Sequence, residues 1–101
     1  MSVKWPDNIE DAKRLQNELR KAVRIKNLIK PPQIIAGVDA IFLKNHTISA
    51  VVLMSYPSLE PIEETYHVGK TTFPYIPGYL SFREGPAIIE AVKKLKHLPD
   101  V

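Results

Sequence analysis

Two carboxylates stand where simple packing would not put them. Asp39 lies in the middle of IIAGVDAIFL, residues 34–43, a run that is otherwise apolar and rich in β-branched side chains. A carboxylate in such a place is costly unless a cation, a metal ion or several hydrogen-bond donors meet it. Metal binding or catalysis is one reading, and a carboxylate held by backbone or side-chain donors is the other. Glu84 lies in SFREGP. Ser81 and Glu84 have the S-x-x-E spacing of a capping box, which is a structural role. Pro86 instead favours a helix start near Gly85 with proline at the first helical position, and Glu84 is then free at the helix entrance. Carboxylates from a central strand and a helix start can share a hard cation, because Mg²⁺ prefers oxygen ligands and keeps several waters. Such a pair can organise metal-assisted phosphodiester hydrolysis. Sites of this kind usually use three or four carboxylates, whereas Glu63 and Glu64 read as exposed strand residues.

The segment Pro74-Tyr75-Ile76-Pro77-Gly78 is stiffened by its prolines and carries an aromatic ring. Such a loop can insert into a base stack or hold an unstacked base, or it can pack onto its own core. The three histidines add no metal-site spacing: His46 falls in a turn, His67 on an exposed strand face, and His97 at a helix C-terminus, where it suits the dipole.

The elements that must position these residues follow from periodicity. Residues 7–29 read as an amphipathic helix with Ile9, Ala12, Leu15, Leu19, Ala22, Val23 and Leu28 at helical spacing. Asp7 and Glu10 have capping-box spacing, and Pro31-Pro32 ends the helix. Trp5 and Pro6 read as a packing anchor ahead of it. Residues 34–43 read as a strand buried on both faces, 47–56 as a second strand and 62–68 as a third with one exposed face, separated by turns at 44–46 and 57–61. Short turns favour an antiparallel meander. Residues 71–80 read as an ordered loop, and 86–97 as a second helix with Ile88, Ile89, Val92 and Leu95 on its apolar side. Two helices cover only part of such a sheet, so the order helix, three strands, loop, helix describes an incomplete α/β domain with an apolar edge open to more strands.

Composition bounds the rest. A chain of 101 residues with 45% hydrophobic and 25% charged residues suits one small globular domain. It has no cysteine, which excludes disulfides and thiolate metal sites and fits a cytoplasmic setting. No apolar run is long enough to span a membrane, and MSVKWPDN is not a signal peptide. Residues 1–30 hold eight Lys/Arg against four acids, while residues 31–101 hold six against seven. The basic surplus on the N-terminal element can touch phosphates or serve as a solvated helix face.

Several segments together resemble endonuclease V (deoxyribonuclease V): GVDA at 37–40, the hydrophobic strand after it, YPSLE at 56–60, TTFPYIPGYLSFREGP at 71–86, and the helix ending at LPD. The likeness covers essentially the whole chain, and FPYIPGYLSFREGP sets it apart from the more distantly similar nuclease half of the excision-repair endonuclease. The resemblance implies a ribonuclease-H-like fold and cleavage of the second phosphodiester bond 3′ to deaminated adenine (inosine), with Mg²⁺ or Mn²⁺. It implies that Asp39 and Glu84 are the catalytic, metal-binding carboxylates. It also implies that Pro74, Tyr75, Ile76 and Pro77 form a strand-separating wedge, with Gly78 and Leu80 opening the pocket for an everted base. The family carries a further catalytic Asp in a DG motif after LPD, then a His and a Lys, whereas this chain ends at Val101. The expectation is therefore a single partial domain, residues 1–101, that is weakly active or inactive on its own. Its partner is DNA with deaminated bases, or RNA. Self-association or a missing C-terminal half completes the fold. The alternative is a non-catalytic nucleic-acid-binding or assembly module.

Overall fold

The computed structural model describes residues 4–101, so the first three residues of MSVKWPDN lie outside the described residues. Five elements follow in order: α1 (Ile9–Ala22), β1 (Ile34–Leu43), β2 (His46–Ser55), β3 (Pro61–Lys70) and α2 (Leu80–Lys93). The strands form one antiparallel sheet in the order β1-β2-β3, the meander that the short turns predict. Lys44, at φ 55°, turns β1 into β2. The β2–β3 turn is closed by the Ser55–Ser58 hydroxyl contact and by the Ser55 N–H, which donates to the Glu60 carbonyl at 2.9 Å.

Facing residues in an antiparallel ladder share a side of the sheet, so register assigns the faces. Ala40 faces Ser49 and Val38 faces Val51, while Ser49 faces His67 and Val51 faces Thr65. That side lies under α2: Val51, Leu53 and Ala91 form a buried cluster, joined by Ile34, Ala36, Val92 and Leu95. Two hydroxyls fix the helix on it. Ser49 Oγ donates to the Ala87 carbonyl at 2.7 Å, and Thr65 Oγ1 donates to the Ala91 carbonyl at 2.8 Å. Such bonds need a close approach, so the helix residues buried at them are Ala87 and Ala91 rather than the large side chains that periodicity singles out. His67 also lies on this side, not on an exposed face.

The second helix begins at Leu80, with Pro86 in its interior, six residues before the start that the proline suggests. Proline deprives the Phe82 carbonyl of its helical donor. The early start is held by packing: Phe82 is buried with Ala12 and Phe73, and Trp5, Leu15, Ile76 and Tyr79 pack around them. Gly85 provides room, since a Cβ there would collide with the Trp5 ring. Trp5 is thus the anchor expected of it.

The first helix is shorter than its sequence pattern. It ends at Ala22, with Val23 already extended at φ −65°, ψ 132°. Ile25 and Ile29 are 100% and 99% exposed; no surface meets them, and a helix continued through them would bury nothing. The N-cap is Asn8, whose side chain accepts from the Asp11 N–H at 2.9 Å, one residue beyond the Asp7 cap that spacing suggests. Because α1 packs on the loop and the start of α2, it leaves the second face of the sheet uncovered. β1 is therefore not buried on both sides, and Ile41 and Leu43 stand 59% and 60% exposed.

Two carboxylates clasp the ends. Glu63 accepts the Lys96 and His97 N–H groups at 2.8 and 3.0 Å and meets His97 Nδ1 at 2.8 Å, so it terminates α2 rather than standing free. Asp100 accepts the Gln33 and Ile34 N–H groups at 2.8 and 3.0 Å. The Asp100 N–H then donates to the Ile34 carbonyl, and the Ala36 N–H to the Val101 carbonyl, so the last residues run parallel beside β1.

Both clasps are held below the usual carboxylate range. For Glu63 the Lys96 N–H contributes most, then the His97 side chain; for Asp100 the Gln33 N–H leads, then the Ile34 N–H. A depressed folded pKa gives stability that is present above the unfolded value and lost as pH falls through the folded one. Thermal midpoints should hold down to about pH 5 and then fall. Asp100→Asn should start lower at pH 7 and fall less steeply below pH 5; a parallel curve would refute the clasp. Gly85→Ala should displace the chain's single tryptophan and red-shift its emission, with a net loss of about 1 kcal/mol, overpacking exceeding the gain in helix propensity. Gly37→Ala, whose added methyl meets nothing within 4 Å, should leave emission unchanged.

Candidate metal and nucleic-acid site

Asp39 faces Ala50 across the ladder, so it sits on the open face of the sheet and is exposed, not buried as its apolar neighbours suggest. Its Oδ1 accepts the N–H of Ala40 at 2.8 Å. That N–H belongs to the outward set. Ala36 N–H and Ile34 C=O, at the same parity in β1, serve residues 100 and 101, while Gln33 C=O receives the Tyr56 N–H on the inner side. The carboxylate therefore bends to the free edge of β1.

Glu84 lies early in α2, on the other face of the sheet. In α2 the positions Glu84, Ile88, Val92 and Leu95 form one stripe. Val92 and Leu95 join the cluster that contains Ile34 and Ala36 of β1. On the far side of the helix, Lys94 Nζ donates to the Tyr66 carbonyl of β3 at 2.7 Å. Ser49, opposite Ala40, bonds the Ala87 carbonyl, which sets Glu84 near the level of Ala40–Phe42. The expected pair therefore lies on opposite sides of the sheet plane. It is not assembled into a cluster: among the described residues no group of three or more His, Asp or Glu could hold a metal ion.

The loop between β3 and α2 is ordered by α1. Ile76 packs against the Ala12, Phe73 and Phe82 cluster, and the Tyr79 N–H donates to the Ile76 carbonyl at 2.9 Å. Gln16 Nε2 donates to the Gly78 carbonyl at 2.8 Å. Gly78 sits at φ 91°, a conformation that favours glycine. Pro74, Pro77 and Leu80 are exposed, and Tyr75 is 65% exposed. Of the expected wedge, Tyr75 therefore points outward while Ile76 serves as its packed root.

Arg83 joins these parts. Its Nη1 donates to the Phe73 carbonyl at 3.2 Å, and its guanidinium carbon lies 4.2 Å above the Phe42 ring. The charged stretch near the N-terminus is less unified than it reads: Arg24, Lys26 and Lys30 lie on the extended segment after α1, not on the helix. The Arg14–Asp11 pair on α1, at 3.4 Å, is largely exposed and contributes little. Sequence reasoning passes over Arg83, Lys44 and Lys70, although strand-end positions in a meander are a signal that the two lysines lie at one end of the sheet.

The endonuclease V family model matches residues 17–101. The endonuclease V of Trichormus variabilis is 43% identical over 100 residues, which is 96% of this chain and 45% of that protein. The crystal structure of endonuclease V from Streptomyces avermitilis superposes with a TM-score of 0.87 at 32% identity, covering 98% of this chain and 45% of that one. A structure of Ciona intestinalis endonuclease V in complex with a 24mer DNA containing an inosine followed by a ribo-adenosine superposes with a TM-score of 0.77 at 24% identity, over 86% of this chain and 39% of that one. The chain thus spans less than half the length of the relatives it matches. The fold is ribonuclease-H-like in type, with only part of it present here.

The division of labour in the loop is measurable. Ile76→Ala should lower unfolding stability by about 1–2 kcal/mol, less than a fully buried truncation, whereas Tyr75→Ala should stay within about 0.5 kcal/mol of the parent. Urea titrations of both variants test this; a Tyr75→Ala loss equal to that of Ile76→Ala would show Tyr75 to be a packing residue.

Proposed function

This chain belongs to the endonuclease V family, and on that premise we propose that it forms one part of a metal-dependent DNA-repair endonuclease that cuts the second phosphodiester bond 3′ to a deaminated base such as inosine. The observation that carries the proposal is the family match over residues 17–101, and an exposed carboxylate at Asp39 and an outward ring at Tyr75 support it. The donor types fit a hard divalent cation, Mg²⁺ or Mn²⁺, since Asp39 and Glu84 are both carboxylates. Asp39 Oδ1 is shared with the Ala40 N–H. Such a cation would polarise the phosphate and activate the attacking water. Asp39 and Glu84 would hold it, Tyr75 would enter the base stack, and the backbone around Gly78 and Leu80 would receive the everted base.

The inosine-containing DNA bound by the Ciona protein supports DNA as substrate; RNA is the substrate to compare with it. The two carboxylates alone leave a metal site underfilled, so we expect weak activity from this chain by itself. A second reading, a non-catalytic nucleic-acid-binding or assembly module, is favoured by the uncovered sheet face, where Ile41, Leu43 and Val68 are 50–60% exposed. It predicts self-association, which light scattering at micromolar concentration tests.

The decisive assay is cleavage of a single-inosine duplex with Mg²⁺, beside an adenine control. Inosine-dependent nicking that Asp39→Ala lowers by at least about a hundredfold supports the catalytic reading. Folded protein that binds the duplex but never nicks it, even at high concentration, overturns that reading for this chain and leaves the binding module.

A further inference from the structure

The meander brings three cations to one end of the molecule. Lys44 lies in the turn after β1, Lys70 ends β3, and Arg83 lies in the first turns of α2. They line an open cleft of about 480 Å³ together with Asn45, Thr72 and Pro74. These three are half of the six Lys/Arg in residues 31–101, gathered from positions 26 and 13 residues apart in the chain. No carboxylate lines the cleft. Among the described residues the ion pairs are Arg14–Asp11, Lys93–Glu90 and His97–Glu63, so none of the three cations is neutralised.

The cleft is built rather than incidental. Arg83 is held by the Phe73 carbonyl and the Phe42 ring, which uses one of its five N–H donors and leaves the others for an acceptor. The Thr71 N–H donates to the Asn45 carbonyl at 2.7 Å, and the Thr47 and Thr71 hydroxyls meet at 2.8 Å, so the floor joining the two strand ends is fixed. Pro74 is shared between this cleft and the loop that carries Tyr75. Unpaired cations with hydroxyl and amide groups, on a rigid floor, suit phosphodiester oxygens spaced along a strand.

We propose that this cleft, with Lys44 and Lys70 as its principal cations, binds the phosphate backbone of the nucleic acid that Tyr75 engages, and that it does so without regard to base identity. The inference deepens the nuclease reading and rests on it: the loop marks where the lesion is met, and the cleft holds the strand that runs away from it. Backbone grip of this kind is electrostatic and releases counterions, so its signature is the salt dependence of binding.

The test measures binding of this chain, by fluorescence anisotropy, to a labelled single-inosine duplex and to its undamaged counterpart across a salt series, without divalent metal. The Lys44→Gln/Lys70→Gln variant should lose affinity about ten- to a hundredfold for both duplexes alike and flatten the salt slope by about two. The charge-matched Lys13→Gln/Lys21→Gln variant on α1 should retain most of its affinity. Circular dichroism establishes that each variant is folded, and each lysine is also replaced singly; the singles should share the loss. Equal losses from both double variants would reduce the effect to net charge and overturn the proposal, as would unchanged binding by the cleft variant. Failure of the unmodified chain to bind either duplex would overturn the nuclease reading itself. Binding without preference for inosine, still lost on Lys44→Gln/Lys70→Gln, would uphold the cleft while removing support from the lesion-reading role of Tyr75.

Discussion

Two hydroxyl-to-carbonyl bonds hold the helix on the sheet, and the rest of the molecule is arranged around the closeness they demand. Ser49 and Thr65 reach carbonyls on successive turns of α2, at Ala87 and Ala91. Large side chains at those two positions would push the helix off and leave buried hydroxyls unpaired, at a cost of about 1–3 kcal/mol each. Small residues on the contact stripe displace the larger ones to the flanks. One flank carries Val92 and Leu95 toward β1; the other carries Lys94 to the Tyr66 carbonyl. The rotation of α2 about its axis is thereby fixed, and with it the side of the helix on which Glu84 lies.

The first helix works at one remove from the chemistry. It touches the sheet little, yet Ala12, Leu15 and Gln16 hold the loop that presents Tyr75. Trp5, lying on Gly85, pins the chain ahead of α1 to the start of α2. An exposed aromatic on a loop needs such a root, because its position is only as fixed as the residues packed behind it. Phe73 and Phe82 supply that backing, with ring centroids 5.9 Å apart.

Much of this is legible in the sequence, and where it is not the reasons are physical. The strands are readable because apolar runs and turn residues mark them directly. The start of α2 is not: Pro86 is a strong local signal for a first turn, but the packing of Phe82 and Tyr79 against α1 outweighs one lost hydrogen bond. The pattern over-extends α1 because Val23 and Leu28 prolong an apolar periodicity that has no surface to meet among the described residues. Asp39 is legible as a residue of interest, but its expected burial rests on neighbours whose own cover is absent on one face. The pairing of Lys44 with Lys70 is hidden, since only strand register brings them together. Family resemblance points to Asp39 and Glu84; the fold adds that they lie on opposite sides of the sheet.

The bend of Asp39 onto the Ala40 N–H has a bearing on how a neighbouring strand can lie. Residues 100 and 101 run parallel beside β1 and use the outward groups of Ile34 and Ala36. Two donors beyond Ala36 in that outward series, the Ala40 N–H is already occupied by the carboxylate. A strand that extends the pairing begun at Ile34 must either displace the carboxylate from that donor or part from β1 before Ala40. In the second case the two strands would splay like the arms of a V, with an acidic group at the fork. A single bond between neighbours in the chain thus sets the terms on which the open edge of β1 can be extended.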